Sequence, residues 1–244
     1  ITGASKGMGK AMAMALAEHG SQVVISSRKQ DACEGTAAEI NAAVDAERAI
    51  AIACNIGYKE QLQNLVDETR SRLGPIDTLI ANAGVNPFYG PMSEIPDEAF
   101  DKTMNSNLRS NHWLCQMVAP DMLAKQRGSI MITASVGAFG PSETLGTYNI
   151  SKMADIALVR NLAMEWGPQG VRVNALCPGL IRTDFAKALW DNPEAAKRVT
   201  EQTPLRRFGE AEDFKGIAVF AASDASAYVT GQALTVCGGT HMFR

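Results

Sequence analysis

The sequence predicts an α/β fold in which a parallel sheet lies between layers of helices, and three observations lead to this prediction. Strand-like apolar runs alternate with segments of helical periodicity, which is the pattern of βαβ units with right-handed crossovers. A glycine-rich turn opens the first helical segment. The chain has 244 residues, of which 46% are hydrophobic, so it can bury the core of one such domain. No repeat or linker divides it, and we expect a single domain over residues 1–244.

Composition and charge argue against several classes of protein. A formal net charge of -3 without a long charged run gives no sign of a nucleic-acid or membrane-surface partner. No apolar run approaches the ~20 residues of a membrane span. The five cysteines lie far apart without C-x-x-C spacing and the three histidines are scattered, so we expect reduced thiols, a cytoplasmic protein and no metal site. The opening Ile1-Thr2-Gly3 reads as the end of a strand, so we expect this sequence to lack the natural N-terminus, where a targeting signal would not be visible to us.

The first element is a glycine-rich turn, Thr2 to Gly9 (TGASKGMG), followed by a helical run that ends at Gly20. Such a turn lets the backbone approach a phosphate, and the helix N-terminus supplies N–H groups and the positive end of its dipole. Similar turns also occur without a ligand. We interpret this one as a nucleotide-binding turn.

The second strand, SQVVISS, is followed at once by Ser27-Arg28-Lys29. In a mononucleotide-binding fold, the end of this strand lies beside the adenosine ribose. A carboxylate there would favour the 2′-hydroxyl of NAD, whereas Arg28 together with Lys6 of the glycine turn would suit the 2′-phosphate of NADP. The alternative is that both cations are ordinary solvated charges. We expect NADP(H) to be preferred over NAD(H).

The βα alternation continues with a helix over Gln30 to Ala43, the strand AIAIACN, an amphipathic helix over Lys59 to Leu73 and the strand IDTLIANAG. Asn55 ends the third strand and could contact the adenine. Asn82 ends the fourth strand and could tie it to its neighbours. Either asparagine could equally serve only to form a turn.

A long helix is predicted from Pro96 to Lys125, with Asp97 as its cap. Asn105, Asn107 and Asn111 stand in its middle, although asparagine is a mediocre helix former. Such a local conflict indicates either a functional role or a kink.

The strand-like run GSIMITAS is followed by a loop and then by Tyr148 and Lys152. Residues four apart share one face of a helix, so these two side chains should point the same way. An ammonium near a phenol lowers the pKa of the phenol, which makes tyrosine usable as an acid or base nearer neutral pH. Ser135 closes the preceding strand, where its hydroxyl could hold a substrate oxygen beside the tyrosine.

The last third of the chain continues the helix to Trp166 and adds the strand VRVNALC, a helix over Glu210 to Ser223 and the strand ALTVC. Between them, Phe185 to Phe208 has little periodicity, and we interpret this segment as a lid within the domain. The sequence does not specify a substrate, but an apolar ketone or alcohol is suggested by Phe139, Leu145, Phe185 and Trp190.

These motifs agree in order and spacing with one known family. Over essentially its whole length the chain resembles the single-domain branch of the short-chain dehydrogenase/reductase family, through TGASKGMG, Asn82-Ala83-Gly84, Asn107, Ser135, Tyr148-x-x-x-Lys152 and Pro178-Gly179. The resemblance implies a doubly wound, Rossmann-like, seven-stranded parallel sheet with helices on both faces. It also implies a homotetramer, or less often a dimer, built partly from the helix that carries Tyr148.

The resemblance assigns a catalytic tetrad. Tyr148 would donate or accept the substrate proton, Ser135 would hold the substrate oxygen, and Lys152 would bind the nicotinamide ribose. Asn107 would place a water in a proton relay. By the same resemblance the NADP(H) contacts would come from Gly3, Ser5, Lys6, Gly7, Met8, Gly9, Ser27, Arg28, Lys29, Asn55, Ile56, Asn82, Ala83, Gly84, Tyr148, Lys152, Pro178, Gly179, Ile181 and Thr183.

Two departures and two alternative functions accompany this resemblance. Asn55 stands where family members usually carry an aspartate beside the adenine, which leaves the adenine contact in doubt. Cys237 precedes Gly238-Gly239 where an aspartate is common, and this departure lies away from the chemistry. The segments PLRRFGE and TGQALTVCGG look like those of 3-oxoacyl-carrier-protein reductases, which need a basic surface for the acidic carrier. Candidates for that surface are Arg109, Arg160, Arg206 and Arg207. A non-catalytic NADP-binding regulator is the other alternative, and the intact tetrad argues against it.

Overall fold

Six parallel strands form the centre of the part of the chain that is described. The computed structural model describes residues 1–183 and 190–242. Its strands are β1 (Val23–Ile25), β2 (Ala49–Ala51), β3 (Thr78–Ala81), β4 (Gly128–Thr133), β5 (Val171–Pro178) and β6 (Ala233–Val236). β1 pairs with β2, while β3, β4, β5 and β6 pair in that order. Every pairing is parallel, as the alternation of strands and helices predicts.

The first residues of the chain lie between these two groups of strands. Thr2 forms a parallel bridge with Ser26, and its N–H donates to Ile80 O over 3.1 Å. Ala4 N donates to Ser26 O over 3.0 Å. The order across the fold is therefore β2, β1, the Thr2 bridge, β3, β4, β5 and β6. The Rossmann-like parallel arrangement is confirmed, but a single bridge occupies the place of the expected seventh strand, because the glycine turn follows Thr2 at once.

Eight α-helices in the described residues flank the strands. They are α1 (Gly7–Glu18), α2 (Gln30–Val44), α3 (Lys59–Leu73), α4 (Asp97–Met104), α5 (Ser110–Lys125), α6 (Gly146–Trp166), α7 (Pro193–Gln202) and α8 (Lys215–Ala222). None of the described helices is both long and apolar enough to span a membrane.

The apolar core is divided between the two faces of the sheet. Ile130 and Ile132 of β4 belong to a cluster with side chains of α3, α5 and α6. Met131, between them, belongs to a second cluster with side chains of α1, α2 and α8. Successive side chains of a strand point to opposite faces, so an entirely apolar strand requires cover on both. The helices on both faces supply that cover, as predicted.

The long helix predicted over 96–125 is present and is irregular at its centre. A π-helical segment, Asn105–Arg109, joins α4 to α5 without a break. Such wide turns occur frequently at functional sites, and this one contains Asn107. The prediction that Asp97 caps the helix is wrong, because Asp97 is already helical and Pro96 precedes it as the N-terminal flanking residue.

The lid prediction falls partly outside the described residues, because 185–189, including Phe185, are among those not described. Within the described part, α7 supplies a helix that the weak sequence pattern did not predict. Trp190 Nε1 donates to Thr183 O over 2.9 Å, which attaches this segment to the chain beyond β5. The helix expected over 210–223 is a 3₁₀ turn, Ala211–Phe214, followed by α8.

Candidate active site

Tyr148 and Lys152 lie one turn apart on the first part of α6. The Lys152 Nζ atom is 5.8 Å from the centre of the Tyr148 ring. Tyr148 is half-buried, whereas the lysine is only 3% exposed. The spacing of four residues therefore brings a buried ammonium beside a phenol ring, as the sequence predicts.

The Lys152 ammonium is anchored from the protein interior. Its Nζ donates to the main-chain oxygen of Thr133 over 2.7 Å and to Asp155 Oδ2 over 3.2 Å. Thr133 is the last residue of β4, so the helix and the carboxyl end of the strand are held together here. An ammonium has three N–H donors, and these two bonds leave one for a ligand or for Tyr148.

Asp155 is the functional-site residue that sequence reasoning missed. Its carboxylate is fully buried, and its Oδ1 accepts from Asn111 Nδ2 over 2.9 Å. Burial raises the pKa of Asp155, while the charge of Lys152 and the hydrogen bonds from Asn111 and Lys152 oppose that rise. The available signal was its position three residues beyond Lys152, which places both side chains on one helix face.

Asn107 is fully buried and belongs to the π-helical segment. Its Oδ1 accepts from Val85 N over 2.8 Å, and its Nδ2 donates to Val85 O over 2.9 Å and to Ser151 Oγ over 3.0 Å. These bonds fix the chain directly after Gly84 against α6. The main-chain oxygen of Asn107 accepts from Asn111 Nδ2 over 2.5 Å.

Ser135 begins the loop between β4 and α6. Its Oγ accepts from Gly137 N over 3.0 Å, which starts the 3₁₀ turn Val136–Phe139. Asn149, the residue after Tyr148, donates from Nδ2 to Gly140 O over 3.2 Å. A Cβ atom on Gly137 would lie 2.5 Å from Asn149 Oδ1, so this loop approaches α6 as closely as a glycine allows. The contacts bring the Ser135 loop against the same helical turn as Tyr148.

The described residues form one concave region beside Tyr148 and a second one elsewhere at the carboxyl ends of the strands. The first is lined by Tyr148, Leu145, Phe88 and Met92, among others, so the predicted role of Leu145 in a pocket is compatible with its place. The second, at the carboxyl ends of β5 and β6, includes Leu180, Phe208 and Cys237. Phe139 stacks on His241 with ring centres 4.4 Å apart.

The glycine turn has the geometry of a phosphate cradle. Gly3 and Gly7 have φ angles of 64° and 56°, which favour glycine. A Cβ atom on Gly9 would lie 2.3 Å from Gly3 O, so only a glycine permits this close approach. No side chain of the described residues caps the N-terminus of α1, and its first turn has no acidic residue. The turn therefore fits the pyrophosphate of a dinucleotide.

Asn82 ties β3 to this turn, which is one of the two roles that the sequence leaves open for it. Its Nδ2 donates to Thr2 O over 3.0 Å and to Gly3 O over 3.2 Å. The N–H groups of Asn82 and Ala83 both donate to Thr2 Oγ1 over 3.1 Å. A Cβ on Gly84 would lie 3.5 Å from Lys152 Nζ, so the chain after β3 passes directly over the tetrad lysine.

The end of β1 presents cations and a buried hydroxyl. Arg28, Lys29 and Lys6 are exposed, and Arg28 forms no ion pair with the described residues. Ser26 Oγ is buried without a hydrogen-bond partner in the described structure. Ser27 Oγ lies 3.1 Å from Cys33 Sγ. This edge can accept an anionic group beside the glycine turn.

The other predicted cofactor contacts are distributed around the same edge. Asn55 Oδ1 accepts from Gly57 N over 3.1 Å, so this asparagine forms a turn, which is the second role considered for it. Ile56 and Met8 pack against the core. The methyl group of Thr183 would lie 3.5 Å from a Cβ atom on Gly7, so the chain beyond β5 meets the glycine turn. Pro178 is the last residue of β5, and Gly179 and Ile181 follow it in that segment.

Among the described residues, no group of three or more histidine, cysteine or acidic side chains is placed to hold a metal ion.

Comparison with known proteins gives consistent matches over nearly the whole chain. A family model described as enoyl-(acyl carrier protein) reductase matches residues 3–241. Dehydrogenase/reductase SDR family member 4 of Oryctolagus cuniculus is 38% identical over 239 residues, which are 98% of this chain and 91% of that protein.

Solved structures with the same fold include two ligand complexes. A 7α-hydroxysteroid dehydrogenase complexed with NADH and 7-oxo glycochenodeoxycholic acid matches with a TM-score of 0.93 and 36% identity, over 98% of this chain and 92% of that one. A gluconate 5-dehydrogenase from Burkholderia cenocepacia, in complex with NADP and tartrate, matches with a TM-score of 0.92 and 30% identity, over the same shares.

Proposed function

Because the chain belongs to the short-chain dehydrogenase/reductase family, we propose that it is an NADP(H)-dependent oxidoreductase that interconverts a ketone or aldehyde and an alcohol. The observation that carries this proposal is the buried Lys152 ammonium, one helical turn from Tyr148 and 5.8 Å from its ring. A buried cation at that place favours the phenolate form of a tyrosine.

Each member of the tetrad has a role in this proposal. Tyr148 gives a proton to the substrate oxygen in reduction and takes it back in oxidation. Ser135 holds that oxygen through its hydroxyl. Lys152 uses its remaining N–H donor towards the cofactor ribose or the phenol. Asn107 holds the segment after Gly84 in place through its two bonds to Val85.

The proposed cofactor site is the edge formed by the glycine turn, the end of β1 and the chain beyond β5. When bound, the nicotinamide cofactor supplies or accepts the hydride. The α1 N-terminus would hold the pyrophosphate and Arg28 the 2′-phosphate, because arginine can form two parallel bonds with such a group. The preference for NADP(H) rests on Arg28, since the similar structures include one complex with NADH and one with NADP.

The proposed substrate is apolar, and the lid over 185–208 is proposed to close on it. Leu145, Phe88 and Met92 lie in the concavity beside Tyr148 and give it an apolar wall. We propose the cytoplasm as its location, because all five cysteines are free thiols, as a reducing compartment favours.

A homotetramer, or a dimer, is proposed from the outer face of α6. Ile150 and Met153 are exposed there, and Met164 is 82% exposed. Three large apolar side chains at helical spacing on one exposed face favour cover by a second copy of the chain.

The second candidate is a reductase that acts on carrier-linked acyl groups, and the description of the matching family model favours it. Arg109 and Arg160 are exposed and would be available to an acidic carrier. Arg207 is less available, because it forms an ion pair with Asp213 over 2.6 Å. Comparing kcat/KM for a 3-oxoacyl group on the carrier and for the free ketone would separate the two candidates.

Replacement of Tyr148 by phenylalanine tests the proposal. The substitution removes the proton donor and keeps the ring, so kcat with NADPH and a carbonyl panel should fall at least ~10²-fold. NADPH affinity, measured by fluorescence, should change little. The exposed Tyr228→Phe is the matched control and should keep full turnover. Retention of more than a tenth of wild-type turnover by Tyr148→Phe would refute the role of the phenol.

A further inference from the structure

A buried carboxylate one turn beyond Lys152 has no part in the tetrad as proposed. Asp155 is 0% exposed, and hydrogen bonds occupy both of its oxygens. Its Oδ2 accepts from Lys152 Nζ over 3.2 Å, and its Oδ1 accepts from Asn111 Nδ2 over 2.9 Å. An ion pair this deep is costly to bury unless both partners are fully hydrogen-bonded.

The donors on both sides of Asp155 are fixed. Asn111 Nδ2 also donates to the main-chain oxygen of Asn107 over 2.5 Å, which sets the orientation of its amide. The Lys152 ammonium has donors only. The side chain between these two donors must therefore accept a hydrogen bond on each side. An ionised carboxylate does so with its two oxygens, whereas an amide would place its NH₂ group against one of the donors.

We propose that Asp155 is a positioning residue that acts through Lys152. It holds the lysine in its ammonium form, directs it between Thr133 and Tyr148, and sets the pH at which the Tyr148–Lys152 pair loses its first proton. The catalytic part of this inference rests on the proposed function. The hydrogen bonds of Asp155 are present in the structure whatever reaction the protein catalyses.

The direction of the effect follows from charge. Among the residues that the structure describes, the titratable groups near Asp155 besides Lys152 are Cys115 on α5 and Cys177 on β5. Burial, and then the negative charge of Asp155, raise the pKa of both thiols, so they stay neutral at working pH. Removing a buried anion lowers the pKa of every group near it. The first proton should therefore leave the Tyr148–Lys152 pair at lower pH in Asp155→Asn, whichever residue releases it.

The first test is an NMR titration of the cofactor-free protein labelled with [¹³C]tyrosine. The chain has four tyrosines, and Tyr148→Phe identifies the signal of Tyr148. In Asp155→Asn the transition of this signal should begin at least about one pH unit lower than in wild type. Asp121→Asn, a matched change at a hydrogen-bonded aspartate on α5, should leave it unmoved. An unshifted transition in folded Asp155→Asn would overturn the proposal.

A second measurement does not depend on the variant folding. In wild type, the ¹³C shift of the Asp155 carboxyl, assigned through the backbone, should show an ionised group at pH 7. A protonated carboxyl at that pH would overturn the proposal.

Kinetics separate this inference from the proposed function. With NADPH and a carbonyl that the enzyme reduces, the pH profile of kcat/KM for Asp155→Asn should shift in the same direction as the NMR transition, and kcat should fall about tenfold. If wild type reduces no carbonyl in the panel, the proposed function fails while the NMR titration still decides the role of Asp155. A reduced kcat with an unmoved pH profile would indicate a merely structural role and would overturn the inference.

Discussion

Arg28 is the residue on which the proposed choice of cofactor depends. It is exposed shortly after the end of β1, in the segment that also contains Ser26 with its buried hydroxyl, and forms no ion pair with the described residues. A 2′-phosphate would give the guanidinium a partner that accepts two parallel hydrogen bonds. Solvent around an exposed arginine weakens such bonds, so a moderate preference is expected and not an absolute one.

Replacing Arg28 by aspartate should reverse the preference between the two cofactors. Wild type should use NADPH better than NADH by at least about tenfold in kcat/KM. The aspartate repels the phosphate and can accept from the ribose hydroxyls of NAD, so the variant should favour NADH. The measurement is kcat/KM with both cofactors at fixed ionic strength.

The matched control for this substitution is Arg127→Asp. Arg127 is exposed immediately before the amino end of the interior strand β4, whereas the proposed cofactor site lies at the carboxyl ends of the strands, so the cofactor ratio should stay at the wild-type value. Equal use of both cofactors by wild type, or an unmoved ratio in Arg28→Asp, would make Arg28 an ordinary surface residue.

Sequence reasoning at the residue scale works where spacing alone decides geometry. Tyr148 and Lys152 share a helix face because they are four residues apart, and their proximity was predictable. Asp155 is equally near in sequence, but its importance depends on a main-chain oxygen of β4 and on Asn111 of α5, which only the tertiary fold brings together. For Asn55 the sequence left two roles open, because the same side chain suits a turn and an adenine contact.

At the scale of elements, helices α3 and α5 are joined by polar contacts that centre on Arg70 and Asp121. Arg70 Nε donates to both carboxylate oxygens of Asp121 over 3.1 and 3.0 Å, and Ile76 N donates to Asp121 Oδ2 over 2.9 Å. Arg70 Nη2 also donates to Met117 O over 2.6 Å. Burial raises the pKa of Asp121, but the hydrogen bonds from Arg70 and Ile76 outweigh it and hold the pKa below its usual value.

Asp121→Asn should therefore lower the free energy of unfolding at pH 7 by about 1–3 kcal/mol. A depressed pKa means that the native contribution is full above the unfolded pKa of about 3.9 and is lost as pH falls through the folded value. Wild type should thus lose more stability below about pH 4 than the variant, and the two should converge in acid. Urea unfolding from pH 7 to pH 3 measures both effects.

Asp77→Asn is the control for that prediction. Asp77 pairs with Lys125, but its side chain is 76% exposed, and such surface pairs contribute little. Asp77→Asn should therefore change the free energy of unfolding by less than about 1 kcal/mol. An equal loss of stability in both variants would contradict the importance given to the α3–α5 contact.

At the scale of the whole molecule, the alternation of strand-like apolar runs with helical segments was sufficient to predict the parallel sheet and the helices that cover it. Every residue of β4 is buried, so the strand requires helices on both faces, and the two apolar clusters that contain Met131 and Ile130 lie on those faces. The only sign of the π-helical turn in the sequence was the presence of Asn105 and Asn107, which are mediocre helix formers, in the middle of a predicted helix. Helix α7 was missed although most of its residues are good helix formers and a proline and a glutamate open it, which are helix-start signals that the interpretation of this segment as an irregular lid passed over.

Closure of the proposed lid is expected to involve the whole cofactor edge. Lids belong to the less stable parts of a fold. Amide hydrogen exchange in residues 190–208 should slow when NADP and a substrate analogue bind together, whereas β4, which is buried on both faces, should exchange slowly in every state. Unchanged exchange in 190–208 after both ligands have bound would contradict the lid.

The distribution of cysteines makes the molecule convenient for attaching a single reporter dye. Cys33, Cys54, Cys115 and Cys177 are buried, whereas Cys237 is half-buried in the concavity that also includes Leu205 and Phe208. Burial raises the pKa of Cys54 to about 11, so its thiolate is scarce as well as inaccessible at neutral pH. A maleimide fluorophore should thus attach at Cys237 in the native protein. Its emission would then report movement of the 203–208 segment in real time without any engineered cysteine.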